Sequence, residues 1–267
     1  MRRKAVWLIG ICLGAGATSA PAAEQDELSL GVGFNYSSGD YGTSTTTQIL
    51  TIPFMVRYEH APWTLKLTVP YIRVSGGTAV VPGVGRVNNS NPNGRGRGAG
   101  GTASEASASG LGDVVGAASY NIYNNRDAKL GADLTGKIKF GTADRDKGLG
   151  TGENDYFLQV DAYKTVDRVT GFGSVGRAYL GSSPFIQLNN VWYLNLGASY
   201  QLNERDSAGL SFDARQRASA SSDPQRELTA FWVRKLDRAT KVHAYALVGL
   251  ANGSPDWGLG ASLAYAF

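Results

Sequence analysis

After residue 26, apolar and polar residues alternate with a period of two over most of the chain. That period belongs to strands that show one face to each of two environments. In 190–202, Trp192, Leu194, Leu196, Ala198, Tyr200 and Leu202 share one face, and Tyr193, Asn195, Gly197, Ser199 and Gln201 share the other. In 129–140, Leu130, Ala132, Leu134, Gly136, Ile138 and Phe140 oppose Asp133, Thr135, Lys137 and Lys139. In 207–217, Ala208, Leu210, Phe212 and Ala214 oppose Ser211, Asp213, Arg215 and Arg217, and 156–163 repeats the pattern. Twelve segments are predicted: 27–37, 47–59, 62–74, 111–123, 128–141, 154–164, 168–180, 189–202, 206–218, 225–236, 240–250 and 256–267.

The connections carry independent information. Those after the third, fifth and seventh segments are long (75–110, 142–153 and 181–188), and those after even-numbered segments are turns of a few residues. Long and short ends in strict phase, with an even strand count, are the pattern of a bacterial outer-membrane barrel with both termini on the periplasmic side. A soluble sandwich also alternates but has no reason to keep this phase. Trp63, Tyr71, Tyr58, Tyr123, Tyr200, Trp232, Trp257 and Phe267 fall near strand ends on the apolar side, as interfacial aromatic girdles do. The expected fold is all-β: a transmembrane antiparallel up-and-down β-barrel of 12 strands.

The N-terminus does not belong to that pattern. Arg2, Arg3 and Lys4 precede the apolar run 5–17, and Ala20-Pro21-Ala22 provides small residues ahead of Glu24-Gln25-Asp26. This predicts a secretory signal peptide at 1–22, with cleavage after Ala22 and Ala20 or Ala23 as alternatives, leaving 23–267 as the barrel. The one cysteine, Cys12, lies inside the signal and follows Ile11, which excludes a lipid anchor and leaves no thiol chemistry in the exported part. Three of 26 basic residues leave with the signal, so 23 face 22 acidic ones, and no basic surface calls for nucleic acid.

By alternation, the inward face is charged: Arg57, Lys66, Asp113, Asp133, Lys137, Lys139, Asp155, Asp161, Asp213, Arg215, Arg217, Glu227, Lys235, Lys241 and His243. These are the candidate lumen-lining residues. The same charges on the lipid face would each cost up to ~2–4 kcal/mol at mid-membrane. An interior of this kind either conducts polar solutes or fills the barrel with paired charges. Filled eight-stranded barrels and open ones of 16–18 strands bracket it. The segment 75–110 is Gly-, Ser- and Asn-rich, which reads as a solvated loop, yet its Arg86, Arg95 and Arg97 would meet inward carboxylates such as Asp113, Asp133 or Asp155 if it folded back.

Catalytic signals are poor. Neither His60 nor His243 neighbours a serine in a recognisable motif. Gly148-Leu149-Gly150-Thr151-Gly152 has no following Lys-Ser/Thr and no helix to open, so it reads as a loop rather than a phosphate cradle. No cofactor or metal site is implied.

Trp257, Leu259, Ala261, Leu263, Tyr265 and Phe267 alternate down to the terminal residue. A strand of this kind suits edge addition by the barrel assembly machinery, with Trp257, Leu263, Tyr265 and Phe267 as the assembly signal. Together with Gly110-Leu111-Gly112-Asp113-Val114-Val115-Gly116-Ala117-Ala118-Ser119-Tyr120 and Gly249-Leu250-Ala251-Asn252-Gly253-Ser254-Pro255-Asp256, this strand resembles the transporter-like outer-membrane barrels of the MetA-pathway of phenol degradation family. That resemblance implies uptake of aromatic compounds. The expected role is a channel for passive uptake of small solutes across the outer membrane, with lipid and the assembly machinery as partners. A non-transporting structural or surface-interaction barrel is the alternative. Deleting Phe267 should slow assembly or send the chain to periplasmic degradation, leaving the folded remainder little changed. Outer-membrane yield by heat-modifiable electrophoresis checks this, and normal yield would count against the signal.

Overall fold

The computed structural model describes residues 26–98, 101–102 and 105–267; the signal expected at 1–22 lies outside them. The described chain is all-β, a closed antiparallel barrel of 12 strands. The strands are β1 (Glu27–Gly39), β2 (Thr47–His60), β3 (Trp63–Gly77), β4 (Glu105–Leu111, resumed at Val114–Asn125), β5 (Leu130–Phe140) and β6 (Asp155–Val166). β7 (Val169–Tyr179), β8 (Val191–Gln201), β9 (Asp206–Arg215), β10 (Gln225–Lys235), β11 (Thr240–Gly249) and β12 (Trp257–Ala266) follow. Each strand pairs with its chain neighbours, and β1 closes the ring on β12 over the register Ser29↔Ala266 to Ser38↔Trp257. No helix among the described residues is long and apolar enough to cross a membrane. A closed ring meets the same demand, because every strand finds a partner on both edges.

The outer face is apolar. Leu134, Leu158, Val160, Val175, Leu196, Leu210, Leu259 and Leu263 are exposed there. Aromatics cluster at both ends of this belt: Trp63, Tyr120, Tyr123, Tyr200 and Tyr265 at the rim of short turns, and Phe140, Tyr156, Tyr179, Trp192 and Trp257 at the rim of long loops. Short turns are locally fixed. In 236–239, Asp237 accepts the N–H groups of Ala239 (2.7 Å) and Thr240 (2.8 Å), which hold its carboxyl below its usual pKa, Ala239 contributing most.

On the inner face, five aromatic side chains lie across glycines of the neighbouring strand. Register pairs Gly131 with Tyr163, Gly197 with Phe172, Gly176 with Tyr193, Gly209 with Phe231 and Gly260 with Tyr245. A methyl group at any of these glycines would overlap the partner's ring. The missing Cβ lets the ring lie flat on the wall, so large apolar side chains occupy the interior without crossing it.

Two expectations at the third hairpin change. β3 continues to Gly77 and β4 begins at Glu105, so the loop expected at 75–110 spans 78–104. The added pairing, Tyr71↔Leu111 to Gly77↔Glu105, rests on alternating Ala and Ser, whose small side chains give the period little apolar contrast. β4 is interrupted at Gly112 and Asp113. There the Gly112 N–H reaches the Pro70 carbonyl (2.8 Å), and the Thr142 hydroxyl accepts from the Val114 N–H (2.9 Å).

Asp113 lies within 3.0 Å of Lys139 Nζ, which also lies 2.8 Å from Asp155. The second oxygens of these carboxylates accept the N–H groups of Ala143 (2.9 Å) and Gly181 (2.8 Å). One ammonium thereby ties β4, β5 and β6 to the start of two loops. Lys139→Met should leave two carboxylates facing each other and cost about 3–5 kcal/mol in urea unfolding from detergent micelles, and an unchanged midpoint would refute the tie. Leu196→Lys, placing a cation on the lipid face, should cost about 2–4 kcal/mol in the same assay. Asn195→Lys turns instead toward Asp213 and should cost much less. Equal losses would mean that the two faces of β8 are exchanged.

Candidate functional site: the barrel lumen

The barrel encloses a cavity of about 460 Å³ lined by every strand from β1 to β11. Of the sequence-predicted residues, Arg57, Lys66, Asp113, Asp133, Lys137, Lys139, Asp155, Asp213, Arg215, Glu227 and His243 line it. Asp161 is buried in the wall, where it accepts from Thr135 (2.9 Å) and Gln159 (2.6 Å). Lys235 and Lys241 pair in register at the short-turn end of β10 and β11. Arg217 is the exception. β9 ends at Arg215, and Arg217 is exposed in the following loop beside Asn189, Asn190 and Arg226. Alternation loses its meaning once the chain leaves the sheet.

The lumen's charges are arranged in bands. Toward the long-loop rim, Lys139 bridges Asp113 and Asp155. Across mid-barrel, Arg57, Lys66, Ala117, Lys137 and Phe157 form one register row over β2 to β6. Lys137 Nζ stands 5.3 Å from the Phe157 ring centre and 5.4 Å from that of Tyr193. Arg57 is ion-paired with Glu59 at 2.7 Å. Nearer the short turns, Asn121 donates to Asp133 (2.6 Å). Across the barrel, Asn195 donates to Asp213 (2.8 Å), which pairs in register with Glu227. At the short-turn rim itself, Asp26 meets His60 (2.6 Å) and Tyr58 (2.9 Å), which hold its carboxyl below the usual range, His60 foremost.

Part of the interior is filled. Phe172, Phe231, Val233 and Tyr245 form a buried cluster on β7, β10 and β11. His243 sits in it, 6.1 Å from Phe231 and 5.9 Å from Tyr245 between ring centres. Phe172, Phe231 and Tyr245 of this cluster also line the open cavity.

The loop after β3 folds into the mouth. A two-residue ribbon pairs Val80–Val81 with Gly85–Arg86. Val81, Val84 and Val87 enter a buried cluster with Phe157, Ala178, Val191, Tyr193 and Ala218 of the wall and neighbouring loops. From the wall, Arg215 donates to the carbonyls of Gly83 (2.8 Å) and Val84 (2.6 Å). The loop arginines do not meet inward carboxylates, as folding back had suggested. Arg86 donates to the Gly42 carbonyl (2.6 Å), Arg95 to Gly77 (2.6 Å) and Val80 (3.1 Å), and Arg97 to Asn89 (2.8 Å). Burial alone brings Arg95 down to about 10. Backbone carbonyls of the loop (Val80, Asn89), of the end of β3 (Gly77) and of the β1–β2 connection (Gly42) take these donors, and irregular segments need donors for their carbonyls. The valines that anchor it, spaced three apart among glycines, match neither strand nor helix period and were invisible as a core element.

No protein-family model matches the chain, and no curated protein matches it. Among solved structures, an outer-membrane channel from Pseudomonas putida F1 superposes with a TM-score of 0.67 at 13% identity, covering 97% of this chain and 100% of that one. The KdgM porin in complex with disordered oligogalacturonate gives 0.53 at 8% identity, over 89% of this chain and 99% of that one. The β domain of the Bordetella autotransporter BrkA gives 0.50 at 12% identity, over 91% and 100%. At these identities the likeness is one of fold: the chain has the architecture of single-chain bacterial outer-membrane barrels.

Proposed function

We propose that the protein is an outer-membrane channel for passive uptake of small solutes, exported with removal of residues 1–22. The observation that carries this reading is the charged cavity itself. A barrel that only needed filling could do so with apolar rings, as the cluster around Phe231 does. The lumen instead keeps charged side chains, among them Lys66, Lys137, Asp213 and Glu227, around open space. In this reading the long-loop rim faces outward and the docked loop narrows the entrance. The rings of Phe157, Tyr193, Phe172 and Tyr245 along the lumen support aromatic compounds among the solutes. The channel structures with the same fold agree with the role.

The second reading is a barrel that does not transport and works through its outer surface. The loop's packing in the mouth favours it. Planar-bilayer conductance separates the two. The wild type should show small, steady unitary currents. Replacing 79–92 by a short Gly-Ser link should raise them severalfold. Arg215→Met, which removes the donors to Gly83 and Val84, should raise their amplitude or noise. A folded deletion variant as silent as the wild type would remove the channel reading, while equal non-zero currents would remove the loop as the constriction.

A further inference from the structure

Most charged side chains facing the lumen are tied to neighbours. Asp113 and Asp155 share Lys139, Arg57 holds Glu59, and Asp133, Asp161 and Asp213 each accept from a neutral side-chain donor. Lys66 and Lys137 differ. Neither forms a salt bridge or a hydrogen bond among the described residues; Lys137 faces two rings with the Asp161 carboxylate as its nearest opposite charge, and Lys66 has Arg57 as a like-charged neighbour. Both line the cavity.

The register explains what lies between them. Lys66 pairs with Ala117, and Ala117 pairs with Lys137, so the two lysines flank one small residue across β3, β4 and β5. Their backbones are two strand spacings apart, about 9.5 Å. The methyl of Ala117 leaves the space between the two stems empty. One register step toward the short turns, Thr64, Ser119 and Thr135 carry hydroxyls along the same wall. The Thr135 hydroxyl donates to Asp161 and Ser119 Oγ lies 2.9 Å from Thr135 Oγ1, so the donors left at the gap are the two ammonium groups, with the Thr64 hydroxyl beside them. They form a complement to a compact negative group, and charge-assisted hydrogen bonds to such a group are stronger than neutral ones.

We propose that Lys66 and Lys137, with Ala117 between them, form a lumen site for the oxyanion group of a small solute, a carboxylate or a sulfate. The inference rests on the lumen being a solute path and names the chemistry that the path would favour. Asp133 and Asp161, nearer the short turns, are hydrogen-bonded to their own neutral donors; Asp161 attracts Lys137 through space but forms no ion pair with it, and one carboxylate does not balance two ammonium groups. A solute anion supplies the remaining counter-charge.

The test has two arms. In detergent, the apparent Tm of the wild-type barrel should rise with millimolar sodium sulfate relative to sodium chloride at equal ionic strength. In Lys66→Met/Lys137→Met the response should need about tenfold more sulfate or vanish. Ala117→Glu, which places a carboxylate between the lysines, should raise Tm without sulfate and abolish the sulfate response. In bilayers, sulfate should block wild-type chloride current, with the same loss in the double variant. Equal sulfate effects in wild type and double variant would overturn the site. A site-dependent Tm response without conductance would keep the site and remove the channel reading. Conductance without a site-dependent sulfate effect would do the reverse.

Discussion

The rest of this structure depends on one requirement: a backbone in lipid must satisfy all its hydrogen bonds within the protein. Each strand here is short and interrupted by polar residues, so none could satisfy that demand alone. Pairing of β1 with β12 removes the two free edges that twelve strands in a row would leave. Closure then imposes the alternation, because a paired strand in a ring has one face toward lipid and one toward the lumen. Leu196 and Asn195 are neighbours in the chain and stand in different solvents.

The interior has to be built without the usual apolar core. It uses two devices. Rings laid over glycines, such as Tyr245 over Gly260, bury aromatic area against the wall. Charges tied to one another, such as Asp113, Lys139 and Asp155, join strand to strand and strand to loop. The first device fills the interior around Phe231 on β7, β10 and β11. The second keeps charged side chains around the open cavity, which every strand from β1 to β11 lines.

Much of this was legible in the sequence. Period two gave away the faces, and the alternation of turn lengths gave away the closed topology, because both follow from local backbone geometry. The same parity placed charged residues such as Lys66, Lys137 and His243 among those that line the cavity, and it loses its meaning at Arg217, where the strand has ended. The glycine–aromatic pairs were not legible, since they join residues that only the register brings together. The docked loop was hidden for a different reason. Val81, Val84 and Val87 sit among glycines and asparagines, and composition spoke for solvent. The outer part of β4 was hidden because Ala and Ser pair as well as any residue where no lipid has to be faced.

The anchoring of that loop also orders events in time. Arg215 lies 132 residues along the chain from Gly83, and Val191, Tyr193 and Ala218 come from equally late segments. The pocket for the valines is complete only when β8 and β9 stand in one sheet with β3 and β4, whichever end of the barrel is built first. Docking of the loop therefore reports that the far wall is in place. A sheet lacking β8 and β9 has neither Arg215 nor the valine pocket to hold the loop in the mouth, so the contact between Arg215 and the loop marks a finished wall.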